Sequence, residues 1–350
     1  MIDLIKNLYK KITRPVNLME VCGTHTVAIF KHGIRSLLPD GLKLLSGPGC
    51  PVCVTSIKDV DKAIAFAKAD NVILATFGDM MRVPGGKQSL SETKAEGADI
   101  RIVYSPLDCL KIAKDNKDKK VVFFSAGFET TAPSIAATIF EAERIGVENF
   151  YVYSVHKLVP PALEVLLQSD DVRIDGFILP GHVSTVIGSK PYEFIPEKYS
   201  IPCVITGFDA DDILSGIAML LKQIAEGRPA VEIQYKDVVK EDGNQKAVSF
   251  INEYFEPADS YWRGIGMLPG SGLKLKKKYK NRDAEEVFHL EVPDNPEPKG
   301  CMCGLVLRGV KIPSDCPLFG KTCTPEKPVG ACMVSSEGSC AAYYRYQGAG

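Results

Sequence analysis

The chain reads as an α/β protein: two small parallel-sheet α/β/α lobes facing a cleft, with a cysteine-rich domain at the C-terminus. Three observations carry this reading. Short apolar, β-branched runs alternate with helix-patterned segments, a charged stretch interrupts the alternation midway, and six of the eleven cysteines fall in the last fifty residues.

The N-terminus, MIDLIKNLYKKITRP, spaces Ile2, Ile5, Leu8, Tyr9 and Ile12 at helical intervals with lysines between, the pattern of an amphipathic helix rather than a signal peptide. A short apolar piece at 16–21 follows. Strands are predicted at 42–46, 72–76, 101–104, 121–125, 150–154, 176–180 and 203–206, because continuous apolar runs of this length suit strands buried on both faces of a parallel sheet. Segments 57–69, 106–116, 130–145, 160–168 and 210–226 have helical spacing, which gives a repeated βα alternation. The charged KIAKDNKDKK at 111–120 divides the pattern, so the expected lobes are 1–118 and 119–232, with the C-terminal domain at 233–350. That last part opens with extended and charged segments. The Lys-rich run at 274–280 reads as a solvated face and PDNPEPKG at 293–300 as a linker.

With 45% hydrophobic and 24% charged residues the chain has material for a sizeable core. Its formal net charge of -1 gives no general attraction to nucleic acid or to an anionic membrane, so neither is expected as a partner. No run approaches the roughly 18 apolar residues of a membrane span. The expected setting is a reducing cytoplasm, where clustered cysteines signal metal or redox chemistry more often than structural disulfides.

Open parallel sheets bind ligands outside the carboxyl ends of their strands. GPGCPVC at 47–53, GFETT at 127–131 and PGHVS at 180–184 each follow a predicted strand and are expected to line one crevice. In the first, Cys50 and Cys53 form a CxxC ahead of a helix beginning near Ser56, where amide donors and the helix dipole favour thiolate. Glycine and proline around them predict an exposed turn. CGTHT at 22–26 sets Cys22 three residues from His25, a soft thiolate beside an imidazole that suits iron. Glu129 of GFETT is a carboxylate able to take a proton or orient a metal-bound group, while Thr130 and Thr131 read as helix caps.

His182 divides evenly between site and structure, and His32, His156 and His289 read as structural. TFGDMMRVPGGKQS at 76–89 ends like a phosphate loop, but position 88 is Gln where that loop needs a hydroxyl, so it reads as a crevice-lining loop without a nucleotide. Cys109 and Cys203 lie in apolar settings as small buried hydrophobes.

The tail cysteines are Cys301, Cys303, Cys316, Cys323, Cys332 and Cys340, separated by one, twelve, six, eight and seven residues. Structural zinc prefers two tight CxxC-type pairs. The wider, irregular series fits an iron-sulfur cubane, with two thiols left over for redox exchange.

Together CGTHT, GPGCPVC, GFETT, PGHVS and CPLFGKTCTPEKPVGACMVSSEGSCAAYY resemble the HypD family of hydrogenase maturation factors, from about residue 17 to the C-terminus. The resemblance implies a scaffold on which iron carrying cyanide and carbon monoxide, Fe(CN)2CO, is assembled for the large subunit of [NiFe]-hydrogenase. It implies the small chaperone HypC and the cyanide-transferring HypE as partners. It further implies Cys22 as the iron-site thiolate, shared with a HypC cysteine, His25 as an assisting group, and Cys50 and Cys53 as a thiol pair in the same cleft. A [4Fe-4S] cluster is implied on Cys301, Cys316, Cys323 and Cys340, with Cys303 and Cys332 as a redox pair. The first motif of the family often ends in a second histidine, where this chain has Thr26. The residues alone leave two rivals open: an iron-sulfur thiol-disulfide oxidoreductase acting on an external protein disulfide, and a structural zinc knot on a binding module.

Overall fold

A computed structural model describes residues 1–347. Two all-parallel sheets carry the fold. The first contains β1 (Val16–Glu20), β2 (Leu42–Ser46), β7 (Gly176–Pro180), β8 (Cys203–Thr206) and β9 (Val231–Ile233), in the order β2-β1-β7-β8-β9. The second contains β3 (Val72–Thr76), β4 (Ile100–Ile102), β5 (Lys120–Ser125) and β6 (Phe150–Ser154), in the order β4-β3-β5-β6. Every residue of β3, β7 and β8 is buried, which is why these strands read as unbroken apolar runs. Helices Ile57–Lys68, Asp108–Asp115, Ala132–Arg144, Val159–Leu167 and Ala210–Glu226 follow strands as expected. The amphipathic N-terminal helix Ile2–Tyr9 packs on Ala210–Glu226 and buries Ile5. None of the helices described is long and apolar enough to cross a membrane.

The two lobes and the α/β class match the sequence reading, but their boundaries do not. β1 pairs with β2 at Val16↔Leu42 and with β7 at Leu18↔Gly176, so the first lobe is assembled from both ends of the α/β region. The second lobe, β3 to β6, is one continuous insertion between β2 and β7. The division at residue 118 therefore cuts through the second sheet, between β4 and β5. Its charged stretch is the end of helix Asp108–Asp115 and the turn into β5, not a linker. That turn is pinned by Asn149, whose side-chain amide donates to the carbonyls of Ala113, Asn116 and Lys119 at 3.0, 3.0 and 2.8 Å.

The boundary at 233 moves for a similar reason. Helix Gln245–Tyr254 packs on Ala132–Arg144, and the hairpin of β10 (Phe255–Trp262) with β11 (Gly266–Leu275) packs on Val159–Leu167, so these elements form an outer layer of the second lobe. Arg282, just beyond, is buried and donates to the carbonyls of Val147 and Phe150 at 2.6 and 3.3 Å. Among the described residues the cysteine-bearing tail adds no strand to either sheet, though Gly309 lies against Met19 of β1 and Leu45 of β2. Its last helix, Ser339–Gln347, packs on helix Gly23–Lys31, and its short turn at Ala331–Met333 packs on Pro51–Val54.

The turn after β10 clips the hairpin to the tail. Gly264 has φ +73°, and a Cβ there would stand 2.5 Å from Gly304 Cα, so both the left-handed backbone and the close approach require glycine. Gly264→Ala is expected to destabilise the protein by ~2 kcal/mol through overpacking, read as a lower denaturant midpoint at unchanged slope. Gly270→Ala, at φ +58° with nothing within 4 Å, should shift the midpoint less.

Candidate functional site

The carboxyl ends of β1, β2, β7 and β8 carry CGTHT, GPGCPVC, PGHVS and the turn at Gly207. Cys22 is the N-cap of helix Gly23–Lys31, with extended backbone at φ -147° and ψ 125°. Gly23 N donates to Gly49 O at 2.9 Å, and a Cβ on Gly49 would lie 2.2 Å from Cys22 N. Glycine at 49 thus lets the CGTHT and GPGCPVC turns touch backbone to backbone, which sets Cys22 beside Cys50.

Beneath Cys22 lies Glu20, the fully buried last residue of β1. Its Oε2 accepts from Cys22 N at 3.2 Å and its Oε1 from Thr26 Oγ1 at 2.5 Å. Burial pushes the Glu20 carboxyl up to about 7 despite these bonds. Thr26 therefore serves this carboxyl. The Cys22 thiol is pushed up to about 12 by burial, against the pull of the His25 and Thr24 amides.

His25 is buried, with Nε2 2.9 Å from both Gly207 O and Thr206 Oγ1. A carbonyl only accepts, so Nε2 carries the proton and Nδ1, which has no partner, keeps its lone pair. Burial lowers the ring to about 4, so it is neutral at physiological pH. His182, which is exposed, stacks on Phe208 at 3.9 Å between centroids, and His25 meets the same ring at 4.8 Å. The two histidines flank one phenylalanine.

The second lobe contributes GFETT. Glu129 is 3% exposed, and its Oε1 accepts from Val159 N at 2.8 Å. Burial pushes this carboxyl up to about 7. Thr131 is the N-cap of helix Ala132–Arg144 but makes no side-chain cap bond; its Oγ1 lies 3.1 Å from His156 Nε2 instead. His156, buried and lowered to about 3 by desolvation, thus holds the GFETT turn in place, in keeping with a structural role.

The thiols of GPGCPVC depart from expectation. Cys50 and Cys53 are 3% and 0% exposed, so the turn is buried, not exposed. The helix they open, Pro51–Val54, has only four residues. Its dipole is too short to outweigh desolvation, and burial pushes the Cys53 thiol up, not down. Cys53 N donates to Cys50 Sγ at 3.3 Å.

On its other side Cys53 meets the tail, where the turn Ala331–Met333 packs on Pro51–Val54 and brings Cys332 within interaction range of Cys53. Cys332 in turn interacts with Cys303 and Cys340, and Cys301 with Cys303. Cys303, Cys53 and burial raise the Cys332 thiol, against the opposing pull of Cys340. Cys323 Sγ accepts from Val329 N at 3.4 Å, and Cys316 Sγ lies 3.7 Å from Gly300 O, next to Cys301. A Cβ on Gly330 would stand 2.8 Å from Cys301 Sγ and 3.3 Å from Cys303 Sγ, so the glycine keeps the space between them open. The tail also reaches CGTHT: Thr24 Oγ1 donates to Glu337 Oε1 at 2.8 Å. Cys109 and Cys203 are buried apolar residues away from this chain of sulfurs, as expected. Among the described residues, no three His, Cys, Asp or Glu side chains converge as they would on a single metal ion.

A family model described as "HypD: Hydrogenase formation hypA family" matches residues 1–347. The hydrogenase maturation factor HypD of Rhodobacter capsulatus is 49% identical over 341 residues, covering 96% of this chain and 90% of that protein. HypD of Escherichia coli is 47% identical over 338 residues, covering 95% and 90%. A putative hydrogenase expression/formation protein of Methanocaldococcus jannaschii is 47% identical over 348 residues, covering 99% and 96%. The chain belongs to the HypD family. It is a hydrogenase maturation factor.

Two residues of this HypD-family cleft escaped sequence reasoning. Glu20 left a signal, a lone carboxylate closing an apolar strand. Tyr192, fully buried after the PGHVS helix, left none.

Glu129 gives a test of the buried carboxyls. Its folded-state pKa lies above the ordinary value of 4.5, so its stabilising contribution is complete below about 4.5 and is lost as pH rises through about 7. Relative to Glu129→Gln, the wild type should lose up to ~3 kcal/mol of stability across that window. Paired denaturation curves from pH 4.5 to 7 measure it, and their difference cancels the slopes of Glu20, His25 and His156.

Proposed function

We propose that this HypD-family protein is a scaffold on which Fe(CN)2CO is assembled, working with HypC and HypE in a reducing cytoplasm, and that Cys22 is the thiolate that takes the iron. The observation that carries this reading is that the Cys22 turn lies backbone to backbone against the Cys50–Cys53 turn, which in turn meets Cys332 and Cys303 of the tail, residues drawn from opposite ends of the chain. Burial holds the proton on Cys22, and an arriving soft cation displaces it. His25 offers a neutral ring with a free lone pair beside the same turn. Glu129 holds a proton deep in the cleft, and exposed His182 sits at the rim.

The tail is read as the seat of a resident [4Fe-4S] cluster on Cys301, Cys316, Cys323 and Cys340. The donor set fits: it is all thiol, a backbone amide already points at Cys323, and Gly330 leaves room beside Cys301. A cubane spreads its thiolates wider than a single ion does, so the lack of three converging ligands speaks against the zinc knot, not against the cluster. When bound, the cluster supplies electrons one at a time.

The remaining chemistry belongs to the thiols. Cys332, as thiolate, attacks Cys53 of a Cys50–Cys53 disulfide, and Cys50 leaves as thiolate. Cys303 then attacks Cys332 in the mixed disulfide and frees Cys53. The cleft disulfide is thereby reduced, and one between Cys303 and Cys332 takes its place. Cys53, Cys332 and Cys303 are 0%, 0% and 8% exposed, which favours exchange inside this chain over attack on an external protein disulfide.

Cys22→Ala should abolish the cyanide and carbonyl infrared bands of the anaerobically purified HypC complex while leaving acid-labile sulfide in the tail. Bands of undiminished intensity would exclude Cys22 as the ligand. Cys332→Ser should strand Cys50 and Cys53 as a disulfide after reductive treatment of the intact protein, read by mass spectrometry of alkylated peptides; free thiols at both positions would rule out the relay.

A further inference from the structure

The loop TFGDMMRVPGGKQS at 76–89 leaves the carboxyl end of β3 in the second lobe and reaches the tail. It opens with a tight turn, Gly78–Arg82. Met80, Met81 and Val83 are buried and fix this turn in the core, while Arg82 between them is exposed. Arg82 Nη1 donates to Pro325 O at 3.1 Å and Nη2 to Val334 O at 3.3 Å. Pro325 lies two residues after Cys323 and Val334 two after Cys332, so one guanidinium clamps the segments that carry both cysteines.

The other side of the same loop is tied to the cleft thiols. Pro84 O accepts from Arg263 Nη1 at 3.0 Å, and the backbone N–H of Arg263 donates to Val54 O, next to Cys53, at 2.8 Å. Three hydrogen bonds and the short backbone from 82 to 84 thus join the residue after Cys53 to the segment of Cys332. The far end of the loop is pinned as well: Gly86 N donates to Asp61 Oδ1 at 2.8 Å, and a Cβ on Gly86 would stand 2.1 Å from Asn295 Nδ2.

Packing does not duplicate the clamp. A cavity of about 480 Å³, lined by Asp79, Glu326, Met333 and Tyr344, opens beside Arg82 between loop and tail. From Pro325 to Val334 the tail has one three-residue helical turn and no strand, so no ladder of backbone bonds holds its carbonyls. A planar fork with two donors at fixed separation suits this task, whereas a lysine offers one point charge on a flexible stem. Disulfide exchange needs such control, because the attacking thiolate must meet one particular sulfur of the pair.

Resting on the thiol relay from the tail to the cleft, we propose that Arg82 is a positioning residue for disulfide exchange, holding the Cys332 segment where its sulfur attacks Cys53. In the step it serves, a bond forms between Cys332 Sγ and Cys53 Sγ as the bond between Cys53 and Cys50 breaks. Cys50 leaves as thiolate and takes a proton. Cys303 then bonds to Cys332 and releases Cys53. Two electrons and two protons pass from the Cys303 and Cys332 dithiol to the cleft disulfide, so the exchange balances within the chain.

The test uses the intact, anaerobically purified protein after mild oxidation of its thiols. Dithionite is added to recharge the tail, and free thiol at Cys50 and Cys53 is followed by rapid alkylation and mass spectrometry in wild type, Arg82→Ala and Arg82→Lys. A parallel series uses dithiothreitol, which attacks the cleft disulfide without the tail. Arg82→Ala should slow the dithionite-driven reduction by about tenfold or more, and Arg82→Lys should recover part of the rate. Neither variant should slow the dithiothreitol reaction or lose acid-labile sulfide. A wild-type rate with dithionite in Arg82→Ala would overturn the assignment. Slowing that tracks a loss of sulfide in both variants, or that is equal for both reductants, would make Arg82 merely structural and overturn it too. A cleft disulfide that persists under dithionite in the wild type would instead remove the relay on which Arg82 is placed.

Discussion

The architecture hinges on the contact between Cys53 and Cys332. It joins the end of β2 in the first lobe to a tail that has almost no regular structure of its own. Glycine makes it possible at two places: Gly49 lets the GPGCPVC turn lie against Cys22, and a Cβ on Gly338 would collide with Cys332 O at 2.2 Å. A tail that must fold tightly around its cysteines, and dock them on a turn at the carboxyl edge of a sheet, tolerates little sideways movement. The thiols are therefore held at fixed separations by backbone packing.

Buried sulfur has an electrostatic consequence that shapes the rest of the cleft. Desolvation keeps protons on Cys22 and Cys53, and it likewise raises Glu20 and Glu129 to about 7, so the cleft gathers acids with less charge than their number suggests. Helix N-termini do not reverse this. Pro51–Val54 is one turn long, and Gly23–Lys31 offers Cys22 only the amides of its first turn. The sequence argument for a depressed thiol pKa at the CxxC fails here because it counted donors and ignored burial.

Much of the fold could be read before any coordinates because parallel strands buried on both faces are unbroken apolar runs; β2, β3, β6, β7 and β8 begin and end where those runs do. Pairing was not readable. Nothing in residues 16–20 announces that β1 sits between β2 and β7, since parallel partners are chosen by helix packing across long connections. The charged stretch at 111–120 misled for the same reason: a solvated turn at the amino-terminal edge of a sheet has the composition of a linker. In the site, cysteine and histidine spacing singled out turns that the structure brings together at the carboxyl ends of β1, β2 and β7. Tyr192 could not be found that way, since a lone tyrosine carries no spacing of its own. Thr26 shows the converse, a motif residue whose hydrogen bond to Glu20 gives it an evident structural task.

A cleft that stores protons on thiols and carboxyls is suited to receiving cations. An unpaired thiolate at Cys22 would carry a desolvation penalty of several kcal/mol per ion, so the protonated form is the stable one, and in the proposed scaffold role a metal would have to displace that proton. In that proposed step the proton leaves the sulfur as the metal arrives, above a Glu20 carboxyl that burial raises to about 7. With Glu20 held by Thr26 and the Cys22 amide, the strand end does not have to rearrange as the sulfur changes partner. Proton release in that proposed step would come from Cys22 itself, while Glu20 and Glu129, both raised to about 7 by burial, carry less charge than ordinary carboxylates.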